Sequence, residues 1–142
     1  MPEPRTLQNQ RARVTERAKG CCEYCHSQER YSPDSFSIEH IVPLSKGGKN
    51  TLDNLAFACQ GCNNRKYTST EAFDPISQRT VLLFNPRQHQ WAEHFAWSAD
   101  GALLLGLTPI GRAAVEKLQL NRAGLVNLRH ILFEAGEHPL VL

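Results

Sequence analysis

The sequence lacks any long hydrophobic run, and no hydrophobic segment stands near its N-terminus. A membrane-spanning helix needs about eighteen or more consecutive apolar residues, and a secretory signal peptide needs a shorter apolar core. We therefore expect a protein that has no membrane contact and stays in the reducing cytoplasm. Internal repeats and low-complexity tracts are also absent, so the chain is expected to form one domain over residues 1–142.

The sequence also has little excess charge of either sign. Its 16 basic and 14 acidic residues leave a net charge of +2, which by itself does not indicate nucleic-acid binding. The positions of the cations say more, because four of them surround the central motifs: Lys46, Lys49, Arg65 and Lys66. Such a group either holds the phosphates of a polyanion or is an ordinary solvated surface.

Five cysteines stand in the first half of the chain, and four of them form two Cys-x-x-Cys pairs, Cys22/Cys25 and Cys59/Cys62. This spacing lets the two sulfurs of a pair converge on one ion, and four thiolates complete the ligand set of a structural Zn²⁺. Cys21 competes with Cys22, but the two-residue spacer favours Cys22. Disulfides are rare in a reducing compartment, so we expect a metal site; ordinary thiols or a redox pair are the alternatives.

The cysteine pairs are expected to sit among short strands and helices. Residues 36–41 alternate apolar and polar side chains, as in a half-buried strand, and residues 56–58 are a short apolar strand. A helix is expected to begin near Asn63, directly after the second pair, and residues 6–19 have the apolar spacing of another helix. The predicted order is helix, strand, strand, helix.

The C-terminal half predicts one further strand, a hairpin and two helices. The strand covers residues 80–84, and residues 94–98 and 102–107 flank an Asp-Gly turn signal. Thr108 and Asn121 are expected to cap the two helices. The sequence thus divides into an N-terminal helix, a core at residues 20–68 and a C-terminal extension at residues 80–142.

The core contains the groups that hydrolysis of a phosphodiester requires, which are a base for water and a site for a Lewis acid. A neutral imidazole with a pKa of about 6.5 can take a proton from water. A carboxylate and an amide oxygen can hold a hard divalent ion and leave positions for phosphate and water. His40, Glu39 and Asn63 supply this set. The strand alternation places Phe36, Ile38 and His40 on one face and Glu39 on the other, so a shared metal site needs a twist or bulge.

Several segments of the core resemble the HNH endonuclease family. They are Glu39-His40-Ile41-Val42-Pro43-Leu44, Gly47-Gly48, Asp53-Asn54-Leu55 and residues 59–66. The resemblance covers residues 20–68 closely and the N-terminal helix loosely, and it implies an α+β fold with a ββα-metal (His-Me finger) core stapled by a four-cysteine zinc. The N-terminal helix and the C-terminal hairpin with its two helices are additions to this core.

The resemblance also implies a role for each motif residue. His40 is the general base, Glu39 and Asn63 hold one catalytic Mg²⁺ or Mn²⁺, and Asn54 fixes the loop and orients the histidine. The chain is an HNN variant, because Asn63 stands where many members have histidine, and Glu39 stands where aspartate is common. A neutral amide is a weaker ligand than imidazole, which favours hard ions.

We therefore expect a metal-dependent endonuclease acting on DNA, with products that carry a 5′-phosphate and a 3′-hydroxyl, as in the family. Phosphate contacts are expected from Lys46, Lys49, Arg65 and Lys66. One site in a monomer would nick one strand, whereas duplex cleavage would need a homodimer or two events. The alternatives are a non-catalytic zinc-bound module that binds nucleic acid or protein, a thiol redox protein, and a purely structural role of Asn63 as a helix N-cap.

Overall fold

The computed structural model describes the backbone of residues 2–142 and the side chains from Gln10 onward. The fold is α+β, with short antiparallel strand pairs and several helices, which confirms the predicted class. The chain divides into two compact units. The N-terminal unit contains the residues up to Thr70 and Asn85–Gln88, and the C-terminal unit contains Glu71–Phe84 and His89–Leu142. A single domain over residues 1–142 stays a prediction.

The N-terminal unit contains the helices and strands predicted around the cysteine pairs. They are α1 (Pro2–Arg17), β1 (Ser37–His40), β2 (Leu55–Ala58) and α2 (Gln60–Lys66), with single 3₁₀ turns at Glu29–Tyr31, Leu44–Lys46 and Leu52–Asn54. The strands pair antiparallel, with Glu39 opposite Ala56 and His40 opposite Leu55. α1 ends before the predicted residue 19 because Lys19 and Gly20 adopt positive φ angles of 56° and 72°, which a right-handed helix cannot continue.

β2 lies at the centre of this unit. All four of its residues are buried, which explains why its sequence is a continuous apolar run rather than an alternating one. Phe57 packs against Phe36, with ring centroids 5.3 Å apart. Arg87, from the distant segment Asn85–Gln88, donates to the Leu55 carbonyl at 3.3 Å and pairs with Glu23.

The more buried face of β1 is the one that carries Glu39. Glu39 was expected on the face opposite Phe36 and His40, yet it is the most buried residue of β1, with 6% of its surface exposed. His40 and Ile38 are only half-buried. Phe36 is buried but precedes the strand, so its direction is not set by the two-residue period. The sequence did not indicate that the face carrying Glu39 is the more buried one, where Lys66 and Tyr24 bind its carboxylate.

The C-terminal unit is built from two hairpins and three helices. Its elements are β3 (Glu71–Asp74), β4 (Arg79–Leu82), α3 (Trp91–His94), β5 (Phe95–Trp97), β6 (Leu104–Gly106), α4 (Pro109–Lys117) and α5 (Ala123–Glu134). β3 pairs with β4 and β5 pairs with β6, both antiparallel. The second hairpin was predicted, but β3 was not. The turn after β3 begins at the Asp74-Pro75 dipeptide, which is a turn signal in the sequence.

One of the two predicted helix caps is confirmed. The Thr108 hydroxyl accepts from the Gly111 amide at 3.1 Å and opens α4. Asn121 does not cap α5, because Arg122 occupies the N-cap position. The Asn121 side chain instead bonds both backbone groups of Leu104, at 2.8 and 2.9 Å. None of the described helices combines the length and apolar character needed to cross a membrane.

Candidate active site and zinc site

The four paired cysteines meet at one point of the N-terminal unit. Cys22, Cys25, Cys59 and Cys62 are buried, and their sulfur atoms all lie within 4.8 Å of one another. The Cys25 and Cys59 sulfurs are 3.7 Å apart. A tetrahedral zinc site with Zn–S bonds of about 2.3 Å requires sulfurs about 3.8 Å apart. The cluster therefore fits a structural Zn²⁺ in ligand type, number and spacing.

Local backbone geometry forms the two halves of the cluster. In the first half, the His26 amide donates to the Cys22 carbonyl at 2.9 Å, and His26 adopts a φ of 60° that turns the chain back. In the second half, Cys59 is the N-cap of α2 and its sulfur accepts from the Cys62 amide at 3.4 Å. Hydrogen bonds from the Cys22 thiol and from the other cluster thiols lower the pKa of Cys59. Burial raises the pKa of Cys22, so a bound cation is what would hold all four groups as thiolates.

Cys21 is buried but takes no part in the cluster. Its sulfur lies 3.6 Å from the Lys19 carbonyl, and its backbone pairs with Gln28. Burial raises the pKa of the Cys21 thiol to about 11. The preference for Cys22 over Cys21, which rested on the two-residue spacer, is confirmed.

His40 stands at the end of β1 with its imidazole half-buried. Its Nε2 atom is hydrogen-bonded to the Asn50 side-chain oxygen. Asn50 is itself tied to α1, since Gln10 donates to its carbonyl at 3.4 Å. Asn50 is not among the site residues predicted from the sequence. Its place directly after the Gly47-Gly48-Lys49 turn was the signal available, because such a loop can fold back onto the preceding strand.

Asn54 holds the loop that carries Asn50. Its side-chain oxygen accepts from the Val42 amide at 2.9 Å, and its nitrogen donates to the carbonyls of Val42 at 3.0 Å and Lys49 at 2.9 Å. Gly48 lies so close that a Cβ there would be 1.7 Å from the Val42 carbonyl oxygen. Asn54 therefore contacts backbone, and the side-chain contact to His40 comes from Asn50.

Glu39 is held inside the unit by two donors. The Lys66 ammonium lies 3.1 Å from one carboxylate oxygen, and the Tyr24 hydroxyl donates to the other. Burial raises the pKa of Glu39, and the charge of Lys66 partly offsets this effect. Burial also raises the pKa of Tyr24 well above its usual value, so Tyr24 remains a neutral donor at neutral pH.

Lys66 is buried, with 1% of its surface exposed, although the sequence analysis expected it to contact phosphate. Its ammonium group donates to the Ile41 carbonyl at 2.8 Å and the His40 carbonyl at 3.2 Å, besides pairing with Glu39. The prediction of a surface contact is wrong for this residue, because the ammonium serves as the internal counter-charge. The other three predicted cations, Lys46, Lys49 and Arg65, are exposed.

Asn63 lies in the first half of α2, three residues before Lys66, and is half-buried. Residues three apart share a face of a helix, so Asn63 lies on the side of α2 that carries Lys66, whose ammonium reaches Glu39 and the His40 carbonyl. Cys59 is the N-cap of α2, so the interpretation of Asn63 as a helix N-cap is wrong. Asn63 begins the second turn instead.

The oxygen donors of this region suit a hard divalent ion. An amide oxygen and a carboxylate are ligands that Mg²⁺ and Mn²⁺ accept. Each carboxylate oxygen has two lone pairs, so the bonds of Glu39 to Tyr24 and Lys66 leave acceptor capacity. Two features of the donor set oppose a second cation: the charge of Lys66 and the burial of Glu39, which is 6% exposed.

β1, β2 and α2 form a small ββα unit braced by the four-cysteine cluster. A histidine and a carboxylate, His40 and Glu39, lie at the end of its strand pair. Residues 22–69 match the HNH endonuclease family. The resemblance found in the sequence is thereby confirmed for this segment of the chain.

Two curated proteins are similar to the chain over a longer region. The type IV methyl-directed restriction enzyme EcoKMcrA of Escherichia coli K12 is 29% identical over 77 residues, which cover 51% of this chain and 28% of that protein. The protein named "Retron Vc95 putative HNH endonuclease" of Vibrio cholerae serotype O1 biovar El Tor is 31% identical over 86 residues, or 56% of this chain and 38% of that protein. The similarity therefore spans about a third of each relative. No solved structure matches the chain significantly.

Proposed function

We propose that the protein is a metal-dependent endonuclease that hydrolyses phosphodiester bonds in DNA. The observation that carries the proposal is the match of residues 22–69 to the HNH endonuclease family. The same residues place His40, Glu39 and α2 together at one end of the strand pair. The relatives named above are nucleases by name, which supports the same activity.

His40 is the proposed general base, and Asn50 sets its tautomer. A side-chain oxygen accepts from a ring N–H, so the contact to Asn50 favours the proton on Nε2 and leaves the Nδ1 lone pair to accept a proton from water. The loop bonds of Asn54 keep Asn50 in reach of the ring. The attacking hydroxide and the leaving 3′ oxygen would give a 5′-phosphate and a 3′-hydroxyl, as the family resemblance implies.

Glu39 and Asn63 are the residues proposed to hold a catalytic Mg²⁺ or Mn²⁺, while the four cysteines hold Zn²⁺. The catalytic ion would supply stabilisation of the charge that develops on the phosphate. Tyr24 and Lys66 orient the Glu39 carboxylate through one hydrogen bond to each oxygen. Cys59 and Cys62 lie in or directly before α2, so the zinc cluster also fixes the helix that carries Asn63.

DNA is the proposed partner, and the exposed cations Lys46, Lys49 and Arg65 are the proposed phosphate contacts. Each contact releases condensed counterions, so affinity should fall steeply as salt rises. With one site in each chain, a monomer would nick one strand. Cleavage of both strands by two copies or by two successive events stays a prediction.

A plasmid-nicking assay with Mg²⁺ or Mn²⁺ tests the proposal. His40→Ala is expected to lower the nicking rate by about 10²-fold or more, because general-base catalysis contributes that much. Asn50→Ala, which leaves His40 in place but frees its ring, should give an intermediate rate. Lys49→Ala keeps His40 and Asn50 but removes a proposed phosphate contact, so it should weaken DNA binding and change the rate at saturating DNA little. Equal trace activity in the wild type and His40→Ala would remove the assignment of hydrolysis.

A second candidate function is a zinc-bound module that binds nucleic acid without cutting it. The observation in its favour is the pairing of Glu39 with Lys66, which opposes a cation at the proposed ligand. Equilibrium dialysis of the zinc-loaded protein with Mn²⁺ separates the two functions. The non-catalytic module should bind zinc at the four cysteines and no Mn²⁺. Loss of Mn²⁺ binding in Glu39→Gln would support the nuclease.

A further inference from the structure

Tyr67, which follows α2, has a backbone conformation that normally belongs to glycine. Its φ is 48° and its ψ is −117°, and the Ser69 amide donates to the Lys66 carbonyl at 2.9 Å. Residues 66–69 thus form a tight turn with Tyr67 at the second position. These angles are those of a type II′ turn, where glycine stands at that position because a side chain is sterically disfavoured.

The tyrosine ring recovers little of this cost by burial. Tyr67 is 79% exposed, and it is the only exposed aromatic residue among the described side chains of the N-terminal unit. Tyr24, Phe36 and Phe57 in the same unit are buried. A strained and exposed tyrosine is explained neither by backbone preference nor by packing, and strained residues of this kind gather at functional sites.

Tyr67 also stands beside the candidate active site. Its amide donates to the Asn63 carbonyl at 2.9 Å, so it lies one helical turn beyond Asn63. The preceding residue, Lys66, reaches the His40 carbonyl. Arg65 is exposed in the last turn of α2. An aromatic face and a cation therefore occur together at the edge of the site.

We propose that Tyr67 stacks on an unpaired base of DNA next to the phosphate that His40 faces. The inference rests on the proposed function, and it adds a class of substrate to it. Bases stack on aromatic side chains without regard to sequence, and a ring of this kind can cover a base only where the neighbouring base has moved away. The preferred substrate is then single-stranded DNA or a duplex with an unpaired base.

Binding of a fluorescein-labelled single-stranded oligonucleotide, followed by anisotropy in a His40→Ala background that leaves the DNA uncut, tests the proposal. Tyr67→Gly should weaken binding by about tenfold, since stacking on one base contributes that much. Tyr67→Phe should bind within about twofold of the parent. Tyr67→Gly should nevertheless raise Tm by about 3 °C, because glycine accepts the turn without strain. A purely structural role would not lower affinity while raising stability.

Two control variants separate stacking from strain and from charge. Gln78 has a φ of 61° and is exposed in the turn between β3 and β4, so Gln78→Gly should raise Tm and leave binding unchanged. Arg65→Gln should weaken binding and reduce the slope of log affinity against log salt by about one. Tyr67→Gly should leave that slope unchanged, because stacking releases no counterions.

The outcomes distinguish this inference from the proposed nuclease activity. Parental affinity in Tyr67→Gly, an equal loss in Tyr67→Phe, or an equal loss on fully paired duplex DNA would each overturn the stacking proposal while leaving cleavage by His40 untouched. If the nicking assay fails but the Tyr67 variants behave as expected, the chain binds unpaired DNA without cutting it. The stacking proposal then stands on its own.

Discussion

Each unit of the molecule contains a buried acid paired with a base, and the two surroundings move the pKa of the acid in opposite directions. In the C-terminal unit, Arg112 binds both oxygens of Asp74, through Nε at 3.0 Å and Nη2 at 2.9 Å. This fork holds the pKa of Asp74 well below its usual range. In the N-terminal unit, Glu39 has one ammonium contact, from Lys66 at 3.1 Å, and burial raises the pKa of Glu39.

The contrast indicates a structural role for Asp74 and a role as a candidate metal ligand for Glu39. The Asp74 carboxylate also accepts hydrogen bonds from the amides of Ile76 at 3.2 Å and Ser77 at 3.1 Å. Its charge is therefore compensated by the turn after β3 and by Arg112 of α4. Glu39 is less fully compensated and lies next to His40, inside the HNH segment. Incompletely compensated buried acids cluster at functional sites, whereas an acid with a bidentate arginine is more often part of the scaffold.

Loss of zinc should have the largest effect, and it should affect the two units differently. The Glu39–Lys66 pair lies in the unit that contains the four cysteines, whereas the Asp74–Arg112 pair does not. Cys59→Ser is expected to remove the ion and unfold the N-terminal unit, since structural zinc contributes on the order of 10 kcal/mol to folding. Metal analysis should show the loss of about one zinc per chain. Hydrogen exchange should show earlier opening in β2 than in α4.

Cys21→Ser is the matched control for the zinc prediction, because Cys21 is a buried cysteine outside the cluster. It should keep the zinc and the protection of β2. Zinc retained in Cys59→Ser, or lost equally in Cys21→Ser, would contradict the ligand assignment.

Removal of one basic partner should show the next largest effect. Lys66→Ala leaves a buried carboxylate without its counter-charge and should lower the free energy of unfolding by about 3 kcal/mol, measured by urea denaturation. Arg112→Ala should lower the free energy of unfolding less, because Asp74 keeps its hydrogen bonds from the amides of Ile76 and Ser77. Lys49→Ala, at an exposed lysine of the same unit, is the control. Equal stability of Lys66→Ala and the wild type would contradict a buried ion pair between Glu39 and Lys66.

The smallest expected effect is a pH dependence that belongs to Asp74. Its pKa is lower in the folded state than in the unfolded chain, so its contribution to stability is present above the unfolded pKa of about 3.9 and is lost as pH falls towards the folded pKa. Asp74→Asn should therefore destabilise the protein at neutral pH and lose this effect in acid. Urea midpoints of both proteins measured across that range would show the curves converging, and parallel curves would contradict the assignment.

Much of the core could be predicted because its signals are local. The spacing of the two Cys-x-x-Cys pairs alone indicates the four cysteines whose sulfurs converge. The apolar run at residues 56–58 lies within β2, which is buried along its whole length. The helix opened by Thr108 followed from its hydroxyl at the N-cap. β3 was missed because Glu71-Ala72-Phe73-Asp74 is too short and polar to indicate a strand without its partner β4.

The sequence by itself determined the residues of the HNH motif and the metal cluster, because both depend on residue type and short spacing. Tertiary structure alone decided that Glu39 is buried, that Lys66 is its counter-charge and that Asn50 contacts His40. These contacts join residues that are far apart in the chain, and their energies depend on burial and on the direction of each side chain. Neither quantity can be read from the order of the residues, since each arises only when the strand pair and α2 have packed together.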